Sequence, residues 1–325
     1  MIQTRLDFAI QAGLTLPDEG RSLLIGAPGD LTGDALSPDR FDVMQGFAPD
    51  HAAWERRGYA TCLSPEKPYT AAVVTLPRAR ELAEARIALA CAAAPGGLIV
   101  VDGAKTDGIE PIARAIKART EVLGQVSKAH GKCLWFVASD AFADWARGAA
   151  PNPEGDITAP GVFSADAMDE GTKRLLAALP PKLGHSLADL GAGWGGLARG
   201  LLSRADITTL HLVEADYAAL DCARANITDA RAQFHWADAT TWKPASAVDA
   251  VVMNPPFHQG RRADPALGQA FIAQAARILK PGGQLWLVAN RHLPYEAQLE
   301  AKFRQVQEIA GDTRFKILHG SRPSK

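Results

Sequence analysis

Cysteine is scarce in this chain: Cys62, Cys91, Cys133 and Cys222 are spread through 325 residues, and no two lie close enough in sequence to form a metal or redox pair. That argues against a disulfide framework and suits a reducing compartment. Long apolar runs are missing too. None approaches the roughly 18–20 residues of a membrane-crossing helix. The N-terminal stretch carries Arg5 and Asp7 and has no apolar core followed by a cleavage signal. A cytoplasmic protein with no membrane partner is expected. Nor does one charge dominate: 35 Lys and Arg stand against 36 Asp and Glu, a net charge of −1. Such balance argues against a general polyanion binder, so any nucleic-acid face has to be local and offset by acidic surface elsewhere. The eight histidines are scattered, none pairs with another at helical ligand spacing, and no metal site is expected.

What is present is an ordinary globular composition, 47% hydrophobic and 22% charged, in a length that favours about two domains. Pro151, Pro153, Gly155, Pro160 and Gly161 crowd the stretch 147–161, which shows no periodic apolar pattern and reads as a linker. The boundary is placed near residue 155, giving domains over 1–155 and 156–325. In the second, strands at Ser186–Leu190, Thr209–Glu214, Ala232–Trp236, Ala247–Met253 and Gln284–Ala289 alternate with helices at Gly196–Leu202, Tyr217–Ile227 and Ala266–Leu279. This alternation predicts an α/β fold with a parallel sheet covered on both faces. Val248–Met253 and Leu285–Ala289 are almost continuously apolar, as buried parallel strands are.

The first half repeats part of the theme. Strands Ser22–Gly26 and Thr70–Leu76 precede helix Arg78–Ala94, then Pro95-Gly96-Gly97 and strand Leu98–Asp102. The second half has a strand to Met253, then Asn254-Pro255-Pro256, a helix, Pro281-Gly282-Gly283 and a strand. The order is the same, but Thr75 to Pro95 spans 20 positions and Asn254 to Pro281 spans 27. An internal duplication, with a loop near Phe257–Ala263 absent from the first copy, accounts for both. Two unrelated open α/β domains would also resemble each other this far.

Four motifs carry chemistry. Asp189-Leu190-Gly191-Ala192-Gly193-Trp194-Gly195-Gly196 follows a strand and opens a helix. Its glycines let a cofactor approach the backbone and the free N–H groups of a helix start. Gly191, Gly193 and Gly196 also fit the dinucleotide pattern G-x-G-x-x-G, and a tight turn would use the same glycines with no ligand. Asp189 shifts the balance, because a carboxylate there repels a pyrophosphate but suits a cationic amino-acid tail. Glu214, ending the second strand, can accept both hydroxyls of a ribose. Asp238, after the third, can accept from the exocyclic amine of adenine. Alone, Asp238 reads equally as a plain loop aspartate and Glu214 could be a solvated strand-end charge; three acids at successive strand ends are a stronger signal together.

The fourth motif is Asn254-Pro255-Pro256-Phe257, at the end of the fourth strand. Two prolines remove two backbone donors and stiffen the chain. The Pro255 carbonyl and the Asn254 side-chain oxygen then make two acceptors aimed at one point. Holding both hydrogens of an exocyclic amine draws its nitrogen toward tetrahedral geometry and frees the lone pair. Phe257 offers a face on which a planar base can stack.

Together these motifs resemble the class I amino methyltransferases that use S-adenosylmethionine (SAM). The runs Phe257-His258-Gln259-Gly260, Leu287-Val288-Ala289-Asn290, Leu293-Pro294-Tyr295, Pro160-Gly161-Val162-Phe163-Ser164 and Gly311-Asp312-Thr313-Arg314-Phe315-Lys316 narrow the resemblance to the ribosomal RNA guanine-N2 methyltransferases. It is strong over residues 160–320 and architectural only over 1–150. It implies two tandem Rossmann-like class I methyltransferase domains, the N-terminal one degenerate and helping to hold RNA. It also implies SAM as cofactor, bound by Asp189, Gly191, Gly193, Glu214, Asp238 and Asn254, and ribosomal RNA or a ribosomal subunit as partner of a monomeric enzyme. Asn254, Pro255, Pro256 and Phe257 would be catalytic, and His258, Arg261 and Arg291 would meet substrate.

The first copy departs from the pattern. Thr75-Leu76-Pro77 stands where the catalytic tetrapeptide would lie, and Gly26-Ala27-Pro28-Gly29-Asp30 breaks the glycine motif, so this half is expected to bind no SAM. Trp194 is bulky for a glycine loop and either covers the cofactor or packs on the sheet, with packing favoured. The activated sulfonium needs no general base, which weighs against proton transfer by His258. Arg262, His292, Arg314 and Lys316 join Arg261 and Arg291 as phosphate contacts or as solvated charge. Release-factor glutamine and adenine-N6 methyltransferases share Asn-Pro-Pro with an aromatic and stay open as alternatives, as does a non-catalytic RNA-binding module. A nicotinamide oxidoreductase fits the glycines but not Asp189 or Asn254.

Overall fold

The computed structural model describes residues 4–256, 258–259, 262–263 and 265–324. The chain divides into two compact units, one of Met1–Ala149 with Ala159–Gly161, the other of Ala150–Thr158 with Val162–Lys325. The first contains α1 (Arg5–Gln11), β1 (Ser22–Ile25), β2 (Phe41–Met44), α2 (Ala48–Arg56), β3 (Ala60–Cys62), β4 (Ala71–Thr75), α3 (Arg80–Ala93), β5 (Leu98–Ala104), α4 (Ile109–Lys117), β6 (Gly124–Lys128) and β7 (Gly131–Val137). The second contains β8 (Ala150–Pro151), β9 (Ile157–Thr158), α5 (Glu170–Ala178), β10 (Ser186–Leu190), α6 (Gly196–Leu202), β11 (Thr209–Glu214), α7 (Tyr217–Asn226), β12 (Ala232–Trp236) and β13 (Val248–Met253). It continues with β14 (His258–Gln259), β15 (Arg262–Ala263), α8 (Pro265–Ile278), β16 (Leu279–Asn290), α9 (Glu296–Lys302), β17 (Phe303–Gly311) and β18 (Phe315–Pro323).

Each unit is built on a seven-stranded sheet, and the two sheets share one topology. The orders are β3-β2-β1-β4-β5-β7-β6 and β12-β11-β10-β13-β16-β18-β17. In each, five strands are parallel and the sixth along the sheet is antiparallel to both neighbours. The helices α3 and α8 are both 14 residues long. Arg80 follows Thr75 by five positions and Pro265 follows Asn254 by eleven. The extra chain in the second copy therefore lies between β13 and α8, where the sequence places it.

The central strands explain why apolar runs were legible. Leu23, Leu24, Val73, Val74 and Val100 are buried from both sides in the first unit, as are Leu187, Leu190, Val251 and Val252 in the second. Helix α4 shows the complementary pattern: Ile109, Ile112, Ala113 and Ile116 fall on one buried face, the 3.6-residue period of a helix lying on a sheet. The β17–β18 hairpin was not anticipated from sequence. Strand β17 alternates poorly and is mostly exposed, so no single apolar face announces it.

The expected linker is partly ordered. Strands β8 and β9 form a small antiparallel hairpin that packs with the second unit. Asn226 on α7 accepts from the Ile157 N–H at 2.7 Å and donates to its carbonyl at 2.8 Å, and Arg199 pairs with the buried Asp156.

Candidate active site

The candidate site lies at the carboxyl ends of β10, β11, β12 and β13, where open α/β sheets bind ligands. The chain leaves β10 through a loop whose first two N–H groups, of Gly191 and Ala192, donate to the Val213 carbonyl at 2.8 and 3.1 Å. Gly191, Gly193 and Gly195 have φ of +77°, +56° and +92°, a region that side chains disfavour. Gly195, overlooked in the sequence, is the third glycine the turn requires; Gly196 is not, because its φ is ordinary and it begins α6. A Cβ on Gly195 would meet Ile227 Cδ1 at 2.7 Å, whereas one on Gly193 would meet nothing within 4 Å. Gly193 therefore faces open space. Trp194 is 5% exposed, donates from Nε1 to the Ser164 carbonyl at 3.3 Å and lines the same cleft as Gly191 and Gly193.

Three acids stand around the loop. Asp189 is fully buried on β10, and neither carboxylate oxygen has a hydrogen bond among the described residues. Burial, reinforced by the negative charge of Glu214, pushes its carboxyl well above the usual range. Glu214 accepts from the Gly193 N–H and the Asp216 N–H, both at 2.8 Å. Burial raises its pKa while these backbone donors oppose the shift. Asp238 closes a turn, accepting from the Thr240 N–H and hydroxyl through Oδ1 at 2.8 and 2.6 Å. Its Oδ2 has no hydrogen bond among the described residues. Beside it, Trp236 donates from Nε1 to the Ala215 carbonyl and stands edge-on to Tyr217.

Asn254 faces this loop. A Cβ on Gly191 would lie 3.7 Å from Pro256 Cδ, and one cleft is lined jointly by Gly191, Ala192, Gly193, Met168, Thr172 and Asn254. The Asn254 amide nitrogen donates to Asp169 Oδ2 and to Thr172 Oγ1, each at 2.9 Å. Its oxygen is left as the one group it can offer a ligand. Asp169 and Thr172 had not been singled out; they lie 85 and 82 positions away in sequence, and no spacing rule links them to β13. Phe163, 61% exposed, also lines the cleft.

Other expected substrate residues are placed less simply. Phe257 and Arg261 lie outside the described residues, as do the side chains of His258 and Arg262; the backbone of His258 pairs with Ala263. Arg291 lies against the β17–β18 hairpin, with its side chain still 41% exposed. It bonds the carbonyls of Asp312 and Phe315 and pairs with Glu308 at 2.7 Å. Lys316 is buried and pairs with Glu296 at 2.5 Å, so its ammonium is not free to meet a phosphate. Arg314 is exposed, its guanidinium 5.2 Å from the Phe315 ring centroid.

Comparison with known proteins accords with this geometry. Residues 156–319 match the model of the methyltransferase small domain. A Hahella chejuensis protein named ribosomal RNA small subunit methyltransferase C is 33% identical over 76% of this chain and 76% of its own. The chain belongs to the methyltransferase small domain family. A Shewanella sediminis protein of the same name is 29% identical over 95% of this chain and 94% of its own. A solved structure of a T. thermophilus 16S rRNA N2 methyltransferase, in complex with AdoMet and guanosine, covers 99% of this chain and 92% of its own. It superposes with a TM-score of 0.79 at 23% identity and so shares the tandem fold.

The first unit of the methyltransferase keeps the framework of this site and reverses its chemistry. Strand pairing sets Gly26 where Gly191 stands, Gln45 where Glu214 stands and Thr75 where Asn254 stands. Pro28 replaces Gly193, so the N–H that Glu214 accepts does not exist. Gln45 instead donates to the Ala27 carbonyl at 2.7 Å, joined there by Trp54 Nε1 at 3.1 Å. Arg86, at the position of Phe271 on the paired helices, bonds the Thr75 carbonyl at 3.0 Å. Its guanidinium lies over Gly26, where a Cβ would come within 2.1 Å of Nη1. Gln45, Trp54 and Arg86 thus occupy the surroundings of Gly26 and Ala27.

Proposed function

We propose that this methyltransferase transfers the methyl group of SAM to the exocyclic N2 of a guanine in ribosomal RNA, using the second unit, while the first helps to hold the RNA. The observation that carries the reading is the Asn254 side chain, whose two N–H groups are tied back so that only its oxygen addresses the cleft. The residues present fit the cofactor. Asp189 is an orphaned buried carboxylate, suited to a cationic amino-acid tail. Gly191 and Gly193 leave room for it to pass, Glu214 suits the ribose, and the spare oxygen of Asp238 suits the adenine amine. Bound there, SAM supplies a methyl group on a positively charged sulfur, already activated for transfer.

The chain's own residues then position the acceptor. Asn254 Oδ1 and the Pro255 carbonyl accept the two hydrogens of the guanine amine, so its lone pair leaves the ring and points at the methyl. The methyl would come to this nitrogen with the neutral thioether as leaving group, and the nitrogen, held by Asn254 and Pro255, would release one proton to solvent, so no side-chain base is needed. Pro255 is buried and Pro256 exposed, which holds the carbonyl direction and leaves the edge open for a base stacked on Phe257. A base inside a duplex cannot enter, so the nucleotide must be unpaired or flipped out. The names of the relatives support ribosomal RNA as the substrate class. The enzyme acts as a monomer away from membranes; among the described residues no helix is long and apolar enough to cross one.

The test is labelled SAM incubated with ribosomal subunits from cells lacking the enzyme, naked rRNA or release factor. Label is expected in guanine N2 of rRNA, and Asn254→Ala is expected to abolish it while SAM affinity is largely kept. Turnover near the wild-type level in that variant refutes the acceptor model, and label in release factor alone refutes the substrate.

A further inference from the structure

We propose that Asp169 and Thr172 are positioning residues that lock Asn254 as a pure hydrogen-bond acceptor, an inference that rests on the reading of Asn254 given above. An asparagine side chain presents oxygen on one edge and NH2 on the other, of nearly equal size. At a pocket for an amine only the oxygen edge is productive. Asp169 decides which edge is shown, because an ionised carboxylate cannot donate and so must face the NH2 side at its 2.9 Å separation. Thr172 Oγ1 takes the second hydrogen at 2.9 Å. Rotation of the amide would set the Asp169 carboxylate against Asn254 Oδ1, whereas the Thr172 hydroxyl, able to donate or accept, follows the edge that Asp169 selects.

The local fold around α5 serves this contact. Asp169 is the N-cap of the helix and accepts the Thr172 N–H at 2.9 Å through the same oxygen that receives Asn254. Between them, Gly171 is buried, and a Cβ there would lie 2.8 Å from Asp169 Oδ2. A side chain at 171 would crowd the carboxylate at the point of contact. Thr172 is itself 7% exposed, so its hydroxyl is held rather than free to turn to solvent. A carboxylate accepting from the amide also polarises it, strengthening the opposite oxygen as an acceptor. The same negative charge favours the positive nitrogen that forms during transfer. Helix capping alone needs only the Thr172 N–H bond; the two bonds to Asn254 are additional.

Variants separate the two roles. Asp169→Ser keeps a good N-cap but is too short to reach Asn254. Thr172→Val keeps shape and removes the acceptor, and Thr172→Ser restores it. With full-length enzyme, labelled SAM and ribosomal subunits from cells lacking the enzyme, Asp169→Ser and Thr172→Val are expected to lower kcat by about 10–100-fold, as loss of an orienting partner does at metal sites. SAM affinity by calorimetry should stay within about threefold, because only transfer uses the acceptor geometry, and Thr172→Ser should recover most of kcat. Wild-type kcat in Thr172→Val overturns the inference. So does a loss that Thr172→Ser does not recover, or one matched by an equal loss of SAM binding. Asn254→Ala run alongside distinguishes the failures: if it is inactive while Thr172→Val is normal, only the positioning role falls; if it is active, the reading of the site falls with it.

Discussion

Replacing Asp189 with asparagine should make the ligand-free protein more stable and its cofactor binding weaker. The carboxyl is fully buried, has no hydrogen bond among the described residues and sits near a second acid, which raises its pKa. At pH 7 the folded chain either keeps a proton there or tolerates an uncompensated charge. Holding the proton costs at most about 4 kcal/mol for a carboxyl whose unfolded pKa is about 3.9. The asparagine amide is equally buried, and its own unmet hydrogen bonds take back about 1–3 kcal/mol. The net gain is about 1–3 kcal/mol, and each kcal/mol moves the melting temperature of a domain this size by about 2–4 °C. The sign of the pH dependence follows from proton binding. The folded state holds this proton more tightly than the unfolded chain, so its contribution is complete below about pH 4 and is lost as pH rises toward the raised folded value. Asp189→Asn lacks that slope. With SAM the order reverses: losing the charged partner of the cofactor's ammonium weakens binding by about 10–100-fold, the worth of a hydrogen bond to a charged group. Because SAM favours the ionised carboxylate, wild-type affinity rises with pH and binding releases a proton, read as a buffer-dependent heat in calorimetry. A variant that melts below the wild type without ligand, or binds SAM as tightly, refutes the reasoning.

Other consequences are open to direct measurement. Glu214→Ala should weaken SAM binding by at least about tenfold, since it removes the ribose acceptor and releases the Gly193 N–H; unchanged calorimetric affinity counts against the ribose role. Calorimetry of the full chain should return one SAM per molecule, because Pro28, Gln45 and Arg86 occupy the equivalent crevice; a stoichiometry of two contradicts this. Gly268→Ala should cost about 1–3 kcal/mol by overpacking, as its Cβ would fall 2.0 Å from the Tyr295 hydroxyl oxygen. A urea midpoint equal to wild type would show that Tyr295 can yield.

Much of the second unit was legible because its chemistry coincides with strong local signals. Strands β10, β11 and β12 begin and end where the sequence places them, since apolar runs there stop at glycine or at an acid. Asn254 was legible because two prolines follow it. What escaped was set by tertiary contact. Asp169 and Thr172 acquire meaning only when α5 meets the end of β13. The pairing of Arg291 with Glu308 appears only when the β17–β18 hairpin forms. His211 and His235, unpaired at any helical spacing, meet across neighbouring strands at 3.0 Å. The first unit's departure from the motifs was visible at Thr75 and Pro28, but the parts played by Gln45 and Arg86 emerge only from strand alignment.

Gln45 and Arg86 bear on what it would take to build a cofactor crevice in the first unit. With the Gln45 amide on the loop carbonyl and Arg86 over Gly26, this region has internal bonds of its own. Placing an acid at 45 alone sets a negative charge against the Ala27 carbonyl, and removing Arg86 alone strips the Thr75 carbonyl of a donor. A glycine at 28 gains an N–H with nothing to receive it. Each change made alone removes a bond of the present fold or leaves a donor unmet before any ligand can compensate, so a pocket here would need the three changes together.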